Sequence, residues 1–160
     1  MKKDIRSLNI EELQTLMAEL GQPKFRAGQI FAWLQSGVVS YSEMTDIPTA
    51  LREKLAESYY IVTANIKKRL ESSIDDTVKY LYDLNDGEFV ESVLMKYNHG
   101  YSICISTQVG CRMGCSFCAS GLNGLKRNLT PSEMLAQITA AQRDRKIRIS
   151  NIVLMGMGEP

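Results

Sequence analysis

Three cysteines lie close together in the segment Gly110-Cys111-Arg112-Met113-Gly114-Cys115-Ser116-Phe117-Cys118, with the spacing C-x3-C-x2-C. Thiolates this close can hold an iron–sulfur cluster or a zinc ion, or they can pair as disulfides. Disulfides are disfavoured because nothing at the N-terminus indicates secretion. Structural zinc sites close with four ligands, and only Cys104 and His99 are near enough in sequence to supply the fourth. Three cysteines on a four-iron cluster would leave one iron open to a small molecule, so the spacing favours a [4Fe-4S] cluster over zinc.

The length and composition are those of an ordinary globular protein. The 160 residues can form one or two domains, and the formal net charge of +1 neither requires nor excludes a nucleic-acid partner. No apolar run approaches a membrane span, and no signal-peptide core follows the N-terminus, so we expect a cytoplasmic protein without membrane contact. The chain stops just after an apolar strand-like run, which leads us to expect a piece of a longer protein that is inactive by itself.

The first part of the chain has the periodicity of helices. Apolar residues recur at helical spacing over 9–20, 24–36 and 48–57, and Asn9 with Glu12 forms a capping-box pair at the first start. We therefore expect residues 1–60 to form a helical accessory domain. Its basic residues are candidates for phosphate contact with RNA, although a solvated helical face is the simpler interpretation. These residues are Lys24, Arg26, Arg52 and Lys54.

The periodicity then changes to that of strands. Residues 61–70, 78–84 and 89–95 alternate at period two, and Asn85-Asp86-Gly87 is a hairpin turn. We therefore expect an antiparallel β section over residues 61–97.

Two side chains on the predicted strands have more than one interpretation. Glu91 shares a strand face with apolar residues, so it is either a solvent-facing glutamate or a buried candidate general base. Cys104 lies on the strand 101–106, which leads into the cysteine segment. It is either a buried structural thiol or a thiol that faces a cleft near the three cysteines.

The last part of the chain predicts a βαβ unit. Strand 101–106, helix 131–144 and a buried strand 151–155 follow one another, with residues 107–129 as a loop. The inner face of the helix is predicted to comprise Met134, Leu135, Ile138 and Ala141. The cysteine segment and Gly156-Met157-Gly158-Glu159 then follow the carboxyl ends of neighbouring parallel strands, where α/β proteins place their active sites. The second segment offers backbone groups and a carboxylate for a cofactor, although a tight turn is the simpler interpretation.

Several segments of the chain resemble the radical S-adenosylmethionine (SAM) superfamily and, more narrowly, the RlmN/Cfr-type RNA methyltransferases. The resemblance implies an α/β fold, the N-terminal part of a partial (β/α) barrel, with residues 98–160 starting the barrel behind the helical domain and the β section. It covers the whole chain and is carried by Phe25-Arg26-Ala27, Gln29-Ile30-Phe31, 51–55, Glu91-Ser92-Val93, 104–118, 127–130 and 156–160.

The resemblance also implies roles for individual residues. Cys111, Cys115 and Cys118 would hold a [4Fe-4S] cluster. Gly158 and Glu159 would contact the methionine part of SAM, and Phe117 would lie near its adenine. Glu91 would accept a proton from the RNA base, and Cys104 would resolve a covalent enzyme–RNA adduct. A methyl-carrying cysteine near the C-terminus of the family does not occur in these 160 residues.

The implied substrates are 23S rRNA and certain tRNAs, methylated at adenine C2, and the implied partners include an external electron donor. We expect a monomer. The alternatives are the C8-specific branch of the same family, a different radical SAM enzyme, or a zinc-stabilised RNA-binding module without catalysis.

Overall fold

A computed structural model describes residues 2–159, and these residues form two compact units that divide between Val62 and Thr63. Each unit has its own hydrophobic core. No helix within the described range is both long and apolar enough to cross a membrane.

The first unit is built from three helices and one pair of very short strands. In chain order its elements are β1 (Lys3–Asp4), α1 (Ile10–Glu19), α2 (Phe25–Gln35), α3 (Thr49–Ser58) and β2 (Tyr59–Tyr60). The two strands pair in parallel. The predicted capping box is present at α1, where Asn9 and Glu12 each receive the other's backbone N–H at 2.8 Å. All three predicted helices are confirmed within about two residues at each end.

Apolar faces of the three helices converge on one core. Leu13, Met17, Ile30 and Leu55 are almost completely buried there. Phe31 and Trp33 pack against this core while partly exposed.

The second unit is organised around a five-stranded sheet. Its elements are β3 (Asn65–Glu71), β4 (Val78–Asp83), β5 (Phe89–Tyr97), β6 (Gly100–Cys104), β7 (Gln108–Gly110), β8 (Leu125–Asn128), α4 (Pro131–Arg145) and β9 (Ile149–Val153). The sheet order is β3-β4-β5-β6-β9, with β7 and β8 as a separate antiparallel pair. All neighbours in the sheet are antiparallel except β6 and β9, which confirms the predicted βαβ unit.

The two faces of the five-stranded sheet have different surroundings. Tyr80, Tyr82 and Ile103 are fully buried on one face. The Tyr82 hydroxyl donates to the Gln137 carbonyl oxygen at 3.2 Å, and the Tyr80 hydroxyl donates to Asp144 at 2.8 Å, so this face packs on α4. The opposite face is less buried, since Leu81, Glu91, Val93 and Cys104 there are only half-buried.

Three details of the second unit differ from the sequence prediction. The strand predicted at 151–155 is Ile149–Val153 and is exposed, because β9 pairs on one side only and forms an edge of the sheet. The strand predicted from residue 61 begins at Asn65. In the β4–β5 turn the positive φ angles lie at Asn85 (66°) and Gly87 (85°), since asparagine tolerates the left-handed region.

Residues 107–129 are a further correction, because they are not one loop. They contain β7, β8 and a short 3-10 helix, Ala119–Gly121. The strands were missed because three or four residues are too few to show an alternating pattern.

Candidate functional site

The three cysteines lie on the connection between β7 and β8, which we call the cysteine loop (111–124). Its base is closed by a backbone hydrogen bond from Cys111 to Gly124 at 3.2 Å. The Gln108 side-chain amide donates to Asn128 across the strand pair at 2.9 Å. Gly110 has a φ of 75°, and a Cβ there would overlap the Gly124 carbonyl oxygen. The two ends of the loop therefore approach each other so closely that position 110 requires glycine.

The thiols differ in exposure within this loop. Cys111 is buried next to the closed base, and its sulfur accepts the Met113 backbone N–H at 3.4 Å. Cys115 and Cys118 are exposed. Hydrogen bonds from the Ser120 hydroxyl and backbone lower the pKa of Cys118, which favours the thiolate that binds iron.

The three sulfurs are not preassembled as a metal site. Nowhere in residues 2–159 do three Cys, His, Asp or Glu side chains converge closely enough to hold a metal ion. The donor set nevertheless fits a cluster, since three thiols, two of them exposed, lie on one loop that is fixed at its base.

The second predicted segment, Gly156–Glu159, lies directly beside the start of the cysteine loop. The Met157 carbonyl oxygen accepts the backbone N–H groups of Thr107 at 2.9 Å and Gln108 at 3.1 Å. The Glu159 N–H donates to the Gln108 side chain at 3.0 Å. The predicted proximity of the two segments is therefore confirmed, and it follows from the parallel pairing of β6 and β9.

Gly158 has a backbone conformation that other residues rarely adopt. Its φ is 109°, and an added Cβ would lie 2.6 Å from the Gln108 Cβ. The adjacent Glu159 is exposed. Glycine at 158 thus permits the close approach of this segment to β7, while Glu159 remains accessible to a ligand.

Glu91 and Cys104 lie on the same, half-open face of the sheet. Cys104 pairs with Val93 across the two strands, so Glu91 is the diagonal neighbour of Cys104. The Glu91 carboxylate is not desolvated, because its side chain is 43% exposed and it forms an ion pair with Lys79 at 2.9 Å. Burial raises the pKa of Cys104, and a backbone hydrogen bond from Met155 offsets part of this rise. Phe117 is 92% exposed at the tip of the cysteine loop.

Ser106 is a connecting residue that sequence reasoning missed. Its hydroxyl donates to the Glu91 carbonyl oxygen at 2.6 Å and accepts the Met157 N–H at 2.9 Å. It thereby joins the strand of Glu91 to the Gly156–Glu159 segment.

Gln137 was missed as well, although it is fully buried on α4. Its side-chain amide pairs with both the N–H and the C=O of Ser106 at 3.0 Å. The sequence signal that could have identified Gln137 is its position as a polar residue on the inner, otherwise apolar face of the helix. The prediction of Leu135 on that face was wrong, since it is 39% exposed.

Known proteins are similar to this chain over part or nearly all of its length. Residues 3–61 match the family described as "Ribosomal RNA large subunit methyltransferase N-terminal domain". The chain is 53% identical over 159 residues to a probable dual-specificity RNA methyltransferase RlmN from Alkaliphilus oremlandii, covering 99% of this chain and 46% of the relative. It is 54% identical over 158 residues to the RlmN homologue of Lachnospira eligens, covering 98% and 45%.

The fold is also similar to a solved structure. A radical SAM methyltransferase from Sphaerobacter thermophilus superimposes with a TM-score of 0.89 and 41% identity, covering 99% of this chain and 48% of that one. The chain thus spans about half the length of the relatives it matches.

Proposed function

We propose, because the chain belongs to the RlmN-type radical SAM methyltransferases, that the whole protein methylates C2 of an adenine in 23S rRNA and in certain tRNAs. The observation that carries this proposal is the position of the cysteine loop, which follows β6 and β7 in the chain. Thr107 and Gln108, just before the loop, bond the Gly156–Glu159 segment that follows the neighbouring strand β9. The reaction takes place in the cytoplasm, and the protein acts as a monomer.

Three thiols and Phe117 of the cysteine loop, together with one further segment, supply the cofactor site in this proposal. Cys111, Cys115 and Cys118 hold a [4Fe-4S] cluster, Gly158 and Glu159 contact the methionine part of SAM, and Phe117 lies near its adenine. When bound and reduced by an external donor, a cluster held by these residues would supply the electron for cleavage of SAM. The exposure of Cys115, Cys118 and Phe117 supports this assignment, because the site must be reachable by cluster and cofactor.

Glu91 and Cys104 act on the RNA in this proposal. Glu91 accepts the proton that the adenine ring loses, and Cys104 forms the disulfide that releases the product from a methyl-carrying cysteine elsewhere in the protein. Their diagonal placement on one accessible sheet face supports the pairing of these roles. Partial burial raises the pKa of Cys104, which favours its uncharged thiol.

The helical unit is proposed to contact RNA. Two of its four candidate basic side chains form hydrogen bonds within the unit. Arg26 donates to the Gln29 side chain and the Asp46 carbonyl oxygen. Arg52 donates to the Ser42 carbonyl oxygen and the Thr49 hydroxyl. Exposed Lys24 and Lys54 are therefore the better phosphate contacts.

Anaerobic reconstitution of the full-length protein tests the assignment. We expect a brown protein that converts adenosine in 23S rRNA to 2-methyladenosine, detected by mass spectrometry of digested RNA. Cys115→Ala should lose iron and activity, whereas Met113→Ala in the same loop should retain both. An 8-methyladenosine product would support the C8 branch, and a colourless zinc protein would contradict the proposal.

A further inference from the structure

Two ion pairs join the base of the cysteine loop to the turn between β4 and β5. Lys126 on β8 donates to both carboxylate oxygens of Glu88 at 2.8 Å. Arg127 donates through Nε and Nη2 to Oδ2 of Asp86 at 3.0 and 2.6 Å. The partners are 38 and 41 residues apart in the chain, so these contacts join segments distant in sequence.

The Arg127 guanidinium also binds α4 on its other side. It donates to the two carboxylate oxygens of Glu133 at 2.9 and 2.8 Å, and Glu133 in turn caps the helix by accepting the Thr130 N–H at 2.8 Å. Arg127 is therefore anchored in the unit independently of Asp86. Loss of the Asp86 carboxylate would leave the arginine in place and release only the turn.

The turn leads directly into the strand that carries Glu91. Glu88 immediately precedes β5, and Glu91 is the third residue of that strand. Within residues 2–159 the pair of β7 and β8 is separate from the five-stranded sheet, so no strand ladder joins the cysteine loop to β5. The Ser106 hydroxyl bonds the Glu91 carbonyl before the loop begins, and the two ion pairs hold the strand β8 to which the loop returns.

We propose that Asp86, Glu88, Lys126 and Arg127, here called the hairpin clamp, position the cysteine loop relative to Glu91. The acidic members are positioning residues and do not touch the reacting atoms. The clamp sets the distance between the group bound by the cysteines and the proton acceptor, so this inference rests on the proposed function. Charge-assisted and bidentate bonds suit this role because they fix direction as well as distance.

Asp86→Asn combined with Glu88→Gln in the full-length protein tests the clamp. Oδ1 of Asp86 accepts the Glu88 N–H within the turn at 3.0 Å, whereas Oδ2 faces Arg127. The amide retains the first contact and presents an NH2 group to the guanidinium, so the turn is preserved and the clamp is lost. Asp76→Asn is the matched control, because Asp76 forms an ion pair of the same kind with Lys96 at 2.8 Å, away from the cysteine loop.

Hydrogen exchange of the metal-free protein provides the first measurement. Amides of residues 108–128 should exchange roughly tenfold faster in the double variant, because opening of the hairpin no longer breaks two ion pairs. The control should leave these rates unchanged. Equal rates in all three proteins, or the same acceleration in the control, would overturn the proposal.

Activity of the reconstituted protein provides the second measurement. The double variant should lose kcat by about tenfold with KM for RNA unchanged. Its iron content per protein should also stay unchanged, whereas a loss of folded protein would lower the iron content together with kcat. Exchanging the charges, with Glu88→Lys and Lys126→Glu together, should restore most of the activity that Lys126→Glu alone removes. A lack of restoration would overturn the clamp. If reconstituted wild-type protein contained no iron, the proposed function would be refuted, whereas the hydrogen-exchange test of the clamp would remain valid.

Discussion

The two faces of the five-stranded sheet differ in burial, and the two candidate site residues Glu91 and Cys104 lie on the less buried one. On the helix-covered face Tyr80, Leu94 and Ile103 are completely buried. On the opposite face Glu91 on β5 and Cys104 on the neighbouring strand β6 are only half-buried. Because side chains alternate along a strand, adjacent residues such as Val93 and Leu94 belong to different regions. Substitutions one residue apart should therefore have very different effects.

Leu94→Ala should have the largest effect on stability. Removing a fully buried side chain that packs between the sheet and α4 is expected to lower the free energy of unfolding by about 3–5 kcal/mol. Val93→Ala, on the half-open face, should cost about 1 kcal/mol or less. Urea denaturation measures both, and similar losses would contradict the division into two faces.

Gln137→Met should have the second largest effect. The substitution keeps the volume but leaves the Ser106 N–H and C=O without the amide that pairs with them. Two buried polar groups without partners are expected to cost about 2–3 kcal/mol in total. Gln142→Met offers a control nearer the end of the helix, where a single bond to the Ile149 N–H is lost. An equal cost for the two variants would refute the importance of the Ser106 contact.

Glu133→Gln should have a smaller, pH-dependent effect. Burial opposes ionisation of Glu133, but the Arg127 guanidinium and the Thr130 backbone together lower its pKa below 4.5. A depressed folded-state pKa adds stability that is fully present above the unfolded value and is lost as pH falls through the folded one. The variant should cost about 1–2 kcal/mol near neutral pH, and the Tm gap to the wild type should narrow below about pH 4.5.

Glu12→Gln is the control for that prediction. Glu12 has the same capping-box position in α1, but there the carboxylate is exposed to solvent. Water competes for its hydrogen bond, so we expect a smaller loss of stability at every pH. A Tm gap for Glu133→Gln that widens on acidification would contradict the assigned sign.

Glu91→Gln should have the smallest effect on stability and a large effect on activity. The exposed pair with Lys79 contributes about 0.5 kcal/mol or less to folding. Under the proposed function, loss of the proton acceptor should lower kcat of the full-length enzyme at least about 100-fold. Lys79→Gln is the control, because it removes the ion pair but keeps the Glu91 carboxylate. An equal loss of activity in that variant would show that the ion pair, and not the carboxylate as proton acceptor, causes the effect.

Sequence patterns predicted much of this fold because its long elements carry strong signals. The capping box at Asn9 and the regular apolar spacing predicted the helices within a few residues. The order and orientation of β6 and β9 followed from the βαβ pattern. Exposure of β9 could not be predicted, since an apolar strand reads the same at an edge and in the interior of a sheet.

The candidate site was predictable in its residues but not in its connections. The cysteine spacing and the glycine-rich segment are local patterns, so they are visible in the chain. The contacts of Ser106, Gln137 and Arg127 join segments that are distant in sequence, and single polar residues have no periodicity that reveals such partners. The half-open setting of Glu91 depends on which elements cover the sheet, which the strand itself does not encode.

The Ser106 hydroxyl has a consequence for spectroscopy. One oxygen atom serves both the Glu91 carbonyl and the Met157 amide, so a change in either bond polarises the other. A 13C label on the Glu91 carbonyl would therefore act as an internal gauge, because its resonance should shift whenever the Gly156–Glu159 segment takes up a ligand.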